Sequence, residues 1–540
     1  MANKSQHNNL WTFVQARNMS KGARLLMFVL MVCGITSMVS FGLWWFQPEH
    51  IEIPWLFACM SFFFWYSLLR IIFVWNNYLH ISKPEAKTAQ SGLDVAIFTT
   101  SYKGEPLEMV RKTLVACRLV TYPHTTYLLD NTEDPAFRKA AEENGAIWLE
   151  MINIPGAKAG KINKALSVTN EDFILVLDPD HIPFPNFLDC TLGYFNDPEV
   201  GFVQVSQAYY NQDRSFVARA AAEQTNSFYG PTQMGYNGLG CAVAIGANCT
   251  FRRKAFDSIG GHVVGLAEDL QTSMKLHAAG WKSVYNPVIV SRGIVPEDFG
   301  SFCKQQLKWA RGTFEVLFVD FPSAFPTLSF WQKITYLNTA TYYFSGFVTF
   351  LFTLFPFVFF TTGVMPVNMA ISEFIVHGSW IVVFSSLMYL FSQRWMCDTA
   401  TEQGFHWRAM ILKYATWPVF FFGLLLTVLK HEIPYIPTSK KAEAGFSSFA
   451  KPLLWYVCLF IVSLIAIGIY RVFCMPISTL IISAEKNWVM TGFAFLSFIM
   501  SVAGLFAARQ PRRQFLNDPW DDIDIHKITI KNSNYNNNSK

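Results

Sequence analysis

The sequence predicts an α/β domain inserted in an α-helical transmembrane bundle, and three observations lead there. Of 540 residues, 52% are hydrophobic and only 15% charged, with a mean hydropathy of +0.24; a soluble domain carries about a quarter charged residues. Seven apolar runs approach the roughly 20 residues that cross a bilayer core: 25–46, 53–74, 334–360, 369–391, 411–429, 453–470 and 488–507. Between 93 and 325 the pattern changes to short β-rich runs alternating with helical stretches. The ten cysteines form no C-x-x-C pair and no zinc spacing, which with the apolar content excludes a disulfide-stapled secreted chain. A net charge of +5 is too small and too local for nucleic acid.

The membrane segments follow in order. The first run lacks a small-residue cleavage site and is followed at once by a second, so it reads as a span and not as a signal peptide. Lys4, Arg17, Lys21 and Arg24 precede it, which puts 1–24 in the cytoplasm by the excess of basic residues on inner loops. The loop 47–52 holds Glu49 and Glu52 and no Lys or Arg, an outer loop, so 25–75 is a pair of spans and the stretch after it is cytoplasmic. Segment 361–367 again lacks Lys and Arg, while Arg394 and Arg408 mark an inner loop.

Lys430, Lys440, Lys441 and Lys451 then follow the fifth run, and Arg509, Arg512 and Arg513 follow the last. Both clusters sit inside if 411–429 lies along the cytoplasmic interface without crossing. That gives four spans within 326–508 and six in all; seven simple crossings are the alternative. The tail 509–540 is polar and asparagine-rich and is expected to be disordered and cytoplasmic. The expected location is the plasma (bacterial inner) membrane, with both termini inside.

In the insert, runs at 95–101, 125–129, 147–152, 173–177 and 202–205 alternate with helical stretches at 106–118 and 135–144, which predicts a mostly parallel sheet covered by helices. Ligands of such sheets bind beyond the carboxyl ends of the strands. The run at 173–177 delivers Asp178-Pro-Asp180-His181 at that end. Hard divalent cations take carboxylate oxygens, and Mg²⁺ uses one or two plus substrate phosphates; Asp and Pro also simply favour turns. Glu268-Asp269 opens a further helix, where a plain N-terminal charge preference is the competing reading. Gln305-Gln-Leu-Lys308-Trp309-Ala-Arg311-Gly suits an amphipathic interfacial helix as well as a site.

Taken together and in order, Asp130, Asp178-x-Asp180, Asp269 and Gln305-x-x-Lys308-Trp309 resemble the D, DxD, TED and QxxRW signature of processive family 2 glycosyltransferases, of the bacterial cellulose synthase catalytic-subunit type. Lys158-Ala-Gly160-Lys-Ile-Asn163 resembles KAGxxN, the stretch from Phe228-Tyr-Gly to Arg252-Arg253 resembles the segment before TED, and Tyr435-Ile-Pro-Thr438-Ser-Lys440 resembles the FxVTxK gating loop, within 430–448. The resemblance runs from about Leu93 to Ala507. It departs at Lys308 for Arg, where the charge survives but the bidentate fork does not, and at Ala267, Asn131, Tyr435, Pro437 and Gly246-Ala-Asn-Cys249.

The resemblance implies a GT-A-like domain at 93–325. It implies inverting transfer from a UDP-sugar, with UDP-glucose and a β-glucan product leading, onto a growing polysaccharide that leaves through the protein's own channel. Mg²⁺ (or Mn²⁺) would sit on Asp180; Asp130, Lys158, Asp178, Gln305, Lys308 and Arg311 would hold the donor; Asp269 with Glu268 would be catalytic; Trp309 would floor the acceptor sugar. Thr335, Asn338, Tyr342, Ser345, Thr349 and Thr353 recur at helical steps. Such a polar stripe must face protein or water; Asn338, Tyr342 and Ser345 are read as channel wall, with helix–helix packing as the alternative. No cyclic-di-GMP control by this chain is expected; an accessory export subunit or oligomer stays open. Competing functions are another β-linked polysaccharide, a non-processive glycolipid transferase, and a transporter with a degenerate domain.

Overall fold

The computed structural model describes residues 10–433, 445–474, 484–509, 517–521 and 523–528. Helices α1 (Lys21–Trp45) and α2 (Pro54–Leu79) come first. Ser20 caps α1 by accepting from the Ala23 N–H. A Cβ on Gly34 would lie 2.5 Å from the Trp75 ring, so glycine there lets α2 dock its largest side chain against α1.

The α/β domain then runs β1 (Val95–Ser101), α3 (Leu107–Arg118), β2 (Thr125–Asp130), α4 (Pro135–Glu143), β3 (Ile147–Glu150), α5 (Ala157–Leu166), β4 (Phe173–Leu177), β5 (Val200–Val205), α6 (Phe216–Ser227), β6 (Cys249–Arg252), α7 (Glu268–Ala278), β7 (Lys282–Asn286) and α8 (Phe299–Glu315). All seven strands form one sheet in the order β7-β5-β6-β4-β1-β2-β3. Every neighbour pair is parallel except those of β6, which runs antiparallel to both β4 and β5. The central strands are buried throughout because helices cover both faces. The carboxyl ends of β1, β2 and β4 therefore open on one edge, where Ser101, Asp130 and Asp178 stand.

Helices α9 (Phe330–Ala340), α10 (Ser345–Thr362), α11 (Ile371–Ser392), α12 (Trp407–Ala415), α13 (Trp417–Val428), α14 (Lys451–Cys474) and α15 (Ala484–Ala508) complete the chain. Among the described residues, six helices are long and apolar enough to cross a membrane, α9 and α10 counting as one. The apolar run 411–429 is not a straight span. It folds as α12 and α13, bent by 42° at Thr416, with Pro418 in the first turn of α13, where its missing N–H costs nothing. Gly423 of α13 comes so close to α8 that a Cβ would lie 2.9 Å from that of Ala310.

The span of α9 and α10 is broken at Thr341, and Arg70 of α2 fills the break, donating to Asn338 O at 3.0 Å and Thr341 Oγ1 at 2.5 Å. A break of the helical ladder needs such a partner in an apolar setting.

The tail corrects an expectation. Disorder is predicted from residue 509 on, yet Trp520 is 2% exposed and packs on Met109, Leu114 and Phe137, while Ile525 and Ile528 pack on Ile182, Phe184 and Tyr210. Lys112 Nζ donates to Trp520 O at 2.5 Å and Ile523 O at 3.1 Å. The polar average of the tail hides a short apolar segment with a groove of its own. Residues 510–516 and 529–540 lie outside the described residues. Trp520→Ala is expected to cost about 3–5 kcal/mol, as truncation of a buried Trp does. The readouts are a lower unfolding midpoint in detergent and earlier tryptic cutting at Lys527.

Candidate active site

Asp130 closes β2 and is held in place from three directions. Ser101 Oγ (2.6 Å) and the Thr132 N–H (2.9 Å) donate to Oδ1, and Trp148 Nε1 donates to Oδ2 at 3.0 Å. Lys161 lies beside it, donating to Ser101 O at 2.7 Å and Asn131 Oδ1 at 2.9 Å, with its ammonium 3.3 Å from the Tyr102 ring centroid. Burial pulls the Lys161 ammonium down to about 7, against the opposing charges of Glu105 and Asp130. Asn131, a departure from the signature, is thus held by Lys161.

Helix α5 starts from a tight loop in which Gly156 and Ala157 both have positive φ, and a Cβ on Gly160 would overlap Pro155 O at 1.8 Å. That close turn aims Lys158 inward. Its Nζ donates to Asp178 Oδ1 at 2.5 Å and to Gly246 O at 2.5 Å. Burial works to lower its pKa, but Asp178 and then Asp269 outweigh it and hold the group above the ordinary lysine value. Gly246, at φ +77°, carries the backbone past Asp269: a Cβ there would lie 2.8 Å from Asp269 Oδ2. Asp178, Lys158, Gly246 and Asp269 therefore form one continuous row of contacts.

Asp178, Asp180 and His181 each offer a ligand atom within 4.8 Å of the others. Two carboxylates and an imidazole suit a hard or borderline divalent cation such as Mg²⁺ or Mn²⁺, so the donor set fits the implied metal. The expectation names Asp180 alone; the structure adds Asp178 and His181. His181 is 1% exposed, with Nδ1 2.9 Å from Asp180 Oδ1 and Nε2 3.1 Å from Gln207 Nε2. Its signal in the sequence is its place directly after the second aspartate at a strand exit.

The acidic pair of α7 divides by environment. Glu268 is buried, and burial followed by the Asp269 charge raises its pKa, opposed by Lys308, Lys158 and His262. Asp269 is only partly buried. Helix α8 crosses the start of α7 so closely that a Cβ on Gly312 would lie 2.7 Å from Ala267 N. This crossing brings Lys308 near enough to Glu268 to act on it, with Trp309 next along the helix and Gln305 just under one turn before. Trp309 is 37% exposed in a helix otherwise largely buried.

Other expected site residues stand elsewhere. Arg311 is turned from the carboxylates: Nη1 donates to Glu315 Oε2 at 2.9 Å and Nε to His431 O at 3.3 Å. Asn338 donates to Tyr236 OH at 3.5 Å, and its Oδ1 is buried without a partner. Thr335 and Thr353 are buried, so part of the polar stripe serves packing. Tyr342 lies under the Lys413 ammonium, 4.9 Å from its ring, and Ser345 is half-buried. Tyr435, Thr438 and Lys440 lie outside the described residues.

A mixed sheet with carboxylates at its strand ends, flanked by long apolar helices, defines a membrane-embedded transferase of the GT-A-like fold. Residues 173–482, more than half the chain, match glycosyl transferase family group 2, and the chain belongs to that family. It is similar to the cellulose synthase catalytic subunit [UDP-forming] of Komagataeibacter sucrofermentans, 30% identical over 280 residues, covering 50% of this chain and 37% of that protein. The subunit of the same description from Xanthomonas axonopodis pv. citri is 27% identical over 349 residues, 61% and 47% of the respective chains. The chain thus spans less than half the length of these relatives. Among solved structures, a mannosyltransferase from Pyrobaculum calidifontis in complex with GDP-Man and Mn²⁺ aligns with 15% identity and a TM-score of 0.49, over 70% of this chain and 100% of that one.

Asp180→Asn is expected to abolish Mn²⁺ binding in calorimetry, and His181→Ala to weaken it by about 10–100-fold. Unchanged Mn²⁺ affinity in both would reject this donor set.

Proposed function

We propose that the chain is a processive, inverting synthase in the plasma (bacterial inner) membrane. It builds a β-linked polysaccharide from a UDP-sugar, with UDP-glucose and a β-glucan leading, and passes the chain through its own helices, with the catalytic domain and both termini in the cytoplasm. The observation that carries this reading is the row Asp178–Lys158–Gly246–Asp269, which unites a cation-binding set with a partly exposed carboxylate.

The residues divide the work by charge. A divalent cation on Asp178, Asp180 and His181 would neutralise the charge developing on the leaving diphosphate. Lys158, buried and cationic, adds fixed positive charge at the same place. Asp269 takes the proton of the acceptor hydroxyl while that oxygen attacks the anomeric carbon and the bond to the diphosphate breaks. Asp269 suits the role better than Glu268, because burial favours the protonated form of Glu268. Asp130 and Lys161 face the nucleoside end, and the exposed ring of Trp309 offers an apolar floor for a sugar. Membrane helix α13 against α8 supports a product path from Trp309 past Tyr342 and Ser345, whereas Asn338, engaged by Tyr236, fits packing.

Asp269→Asn is expected to lower UDP release from UDP-glucose in membrane vesicles by at least about 100-fold, the scale of a lost general base, with UDP affinity nearly unchanged. Near-normal turnover would reject the base assignment. A panel of labelled UDP-sugars followed by linkage-specific glycanases identifies the product. Tyr342→Leu should shorten the polymer without lowering UDP release; unaltered polymer length would instead assign Tyr342 to packing.

A further inference from the structure

His262 sits behind Asp269, and its hydrogen bonds fix a proton on Nδ1. The ring is 2% exposed. Its Nδ1 lies 3.2 Å from Val263 O and 3.2 Å from Thr272 Oγ1. The Thr272 hydroxyl gives its hydrogen to Glu268 O at 2.6 Å and accepts from the Val263 N–H at 3.0 Å. Both neighbours of Nδ1 can therefore only accept, so Nδ1 carries a hydrogen. Nε2 is buried, has no hydrogen-bond partner among the described residues, and lies 3.4 Å from Asp269 Oδ1. A neutral ring would turn a bare lone pair on a carboxylate oxygen; a second ring proton turns that repulsion into an ion pair.

We infer that His262, carrying a hydrogen on Nε2 as well as on Nδ1 and ion-paired with Asp269 Oδ1, is the positioning residue that aims the base. This rests on Asp269 being the base. The ring cannot drift, because Asn163 holds the backbone of residue 262 from both sides. Its Nδ2 donates to His262 O at 2.8 Å, and the His262 N–H donates to its Oδ1 at 2.7 Å. Gly261, at φ +99°, permits that approach, since a Cβ there would lie 2.5 Å from Asn163 Oδ1. Asn163 lies on the same helix that carries Lys158, so one element fixes both groups flanking Asp269. The other charged groups facing the pair are Glu268 on α7, Lys158 on α5 and Lys308 on α8. In the reaction the acceptor proton passes to Asp269, and His262 keeps both of its own.

The test compares His262→Leu, His262→Gln and Asp269→Asn in membrane vesicles with UDP-glucose and Mn²⁺. His262→Leu should lower kcat for UDP release by about 10–100-fold, the range for losing a partner that orients a reacting group, with KM within about threefold. His262→Gln, whose amide N–H can reach Asp269 but carries no charge, should recover most of kcat while the acid limb of its kcat–pH profile moves to higher pH. Wild-type kcat in His262→Leu, or an unmoved acid limb in His262→Gln, overturns the inference; the second readout decides if the leucine variant does not accumulate. An active Asp269→Asn would instead overturn the base assignment itself, which separates the two failures.

Discussion

A single buried ammonium, that of Lys158, ties the two acidic loops of the cleft together. One loop leaves β4 with Asp178; the other enters α7 with Asp269 and passes Gly246. Without a cation between them, several carboxylates would share one water-poor space, and each would shift toward its neutral form. Losing Lys158 would leave Asp178 and the Gly246 carbonyl without the donor that joins them. The residues around Lys158 are shaped to that need. Gly160 lets the helix turn close to Pro155, and Gly246 lets the backbone carbonyl face the ammonium while its Cα passes Asp269.

The same cleft is joined to the membrane helices through α8. One end of that helix is capped by Asp298, its middle presents Trp309 to the cleft, and Gly312 meets the start of α7. Its opposite side receives Gly423 of α13, and Arg311 reaches on to His431 just beyond α13. Small residues at both crossings bring backbones within contact distance, so α8 has little freedom to slide. Trp309 is thereby referred to the helices beyond the domain as directly as to the carboxylates. Arg70 performs a comparable service at the break between α9 and α10, where a charged side chain in an apolar region satisfies backbone and hydroxyl groups.

Much of the fold was legible because its signals are local. Apolar runs report spans, and the alternation of strand and helix reports a parallel sheet; the strands ending in Ser101, Asp130 and Leu177 fall where the pattern puts them. Strand β6 was not legible, since Cys-Thr-Phe-Arg is too short to show a period and owes its place to the antiparallel slot between β4 and β5. The ordered segment around Trp520 was masked by the polar composition on either side of it. Arg311 was assigned to the donor by its neighbours in sequence, but successive residues of a helix face different ways, and its side chain joins Glu315 and His431. His181 and His262 carry no periodic signal at all.

By itself the sequence determined which chemistry the chain can hold: acidic residues at strand exits, a Lys-Ala-Gly turn, an aromatic on an amphipathic helix, and enough apolar runs to embed it. Those are properties of residue type and spacing, which act within a few residues along the chain. Only the tertiary structure decided partners: Lys158 with Gly246 across 88 positions, His262 with Asn163 across 99, Lys112 with Trp520 across 408. Such pairs are set by packing in three dimensions, where a hydrogen bond depends on ångström distances that no one-dimensional spacing records.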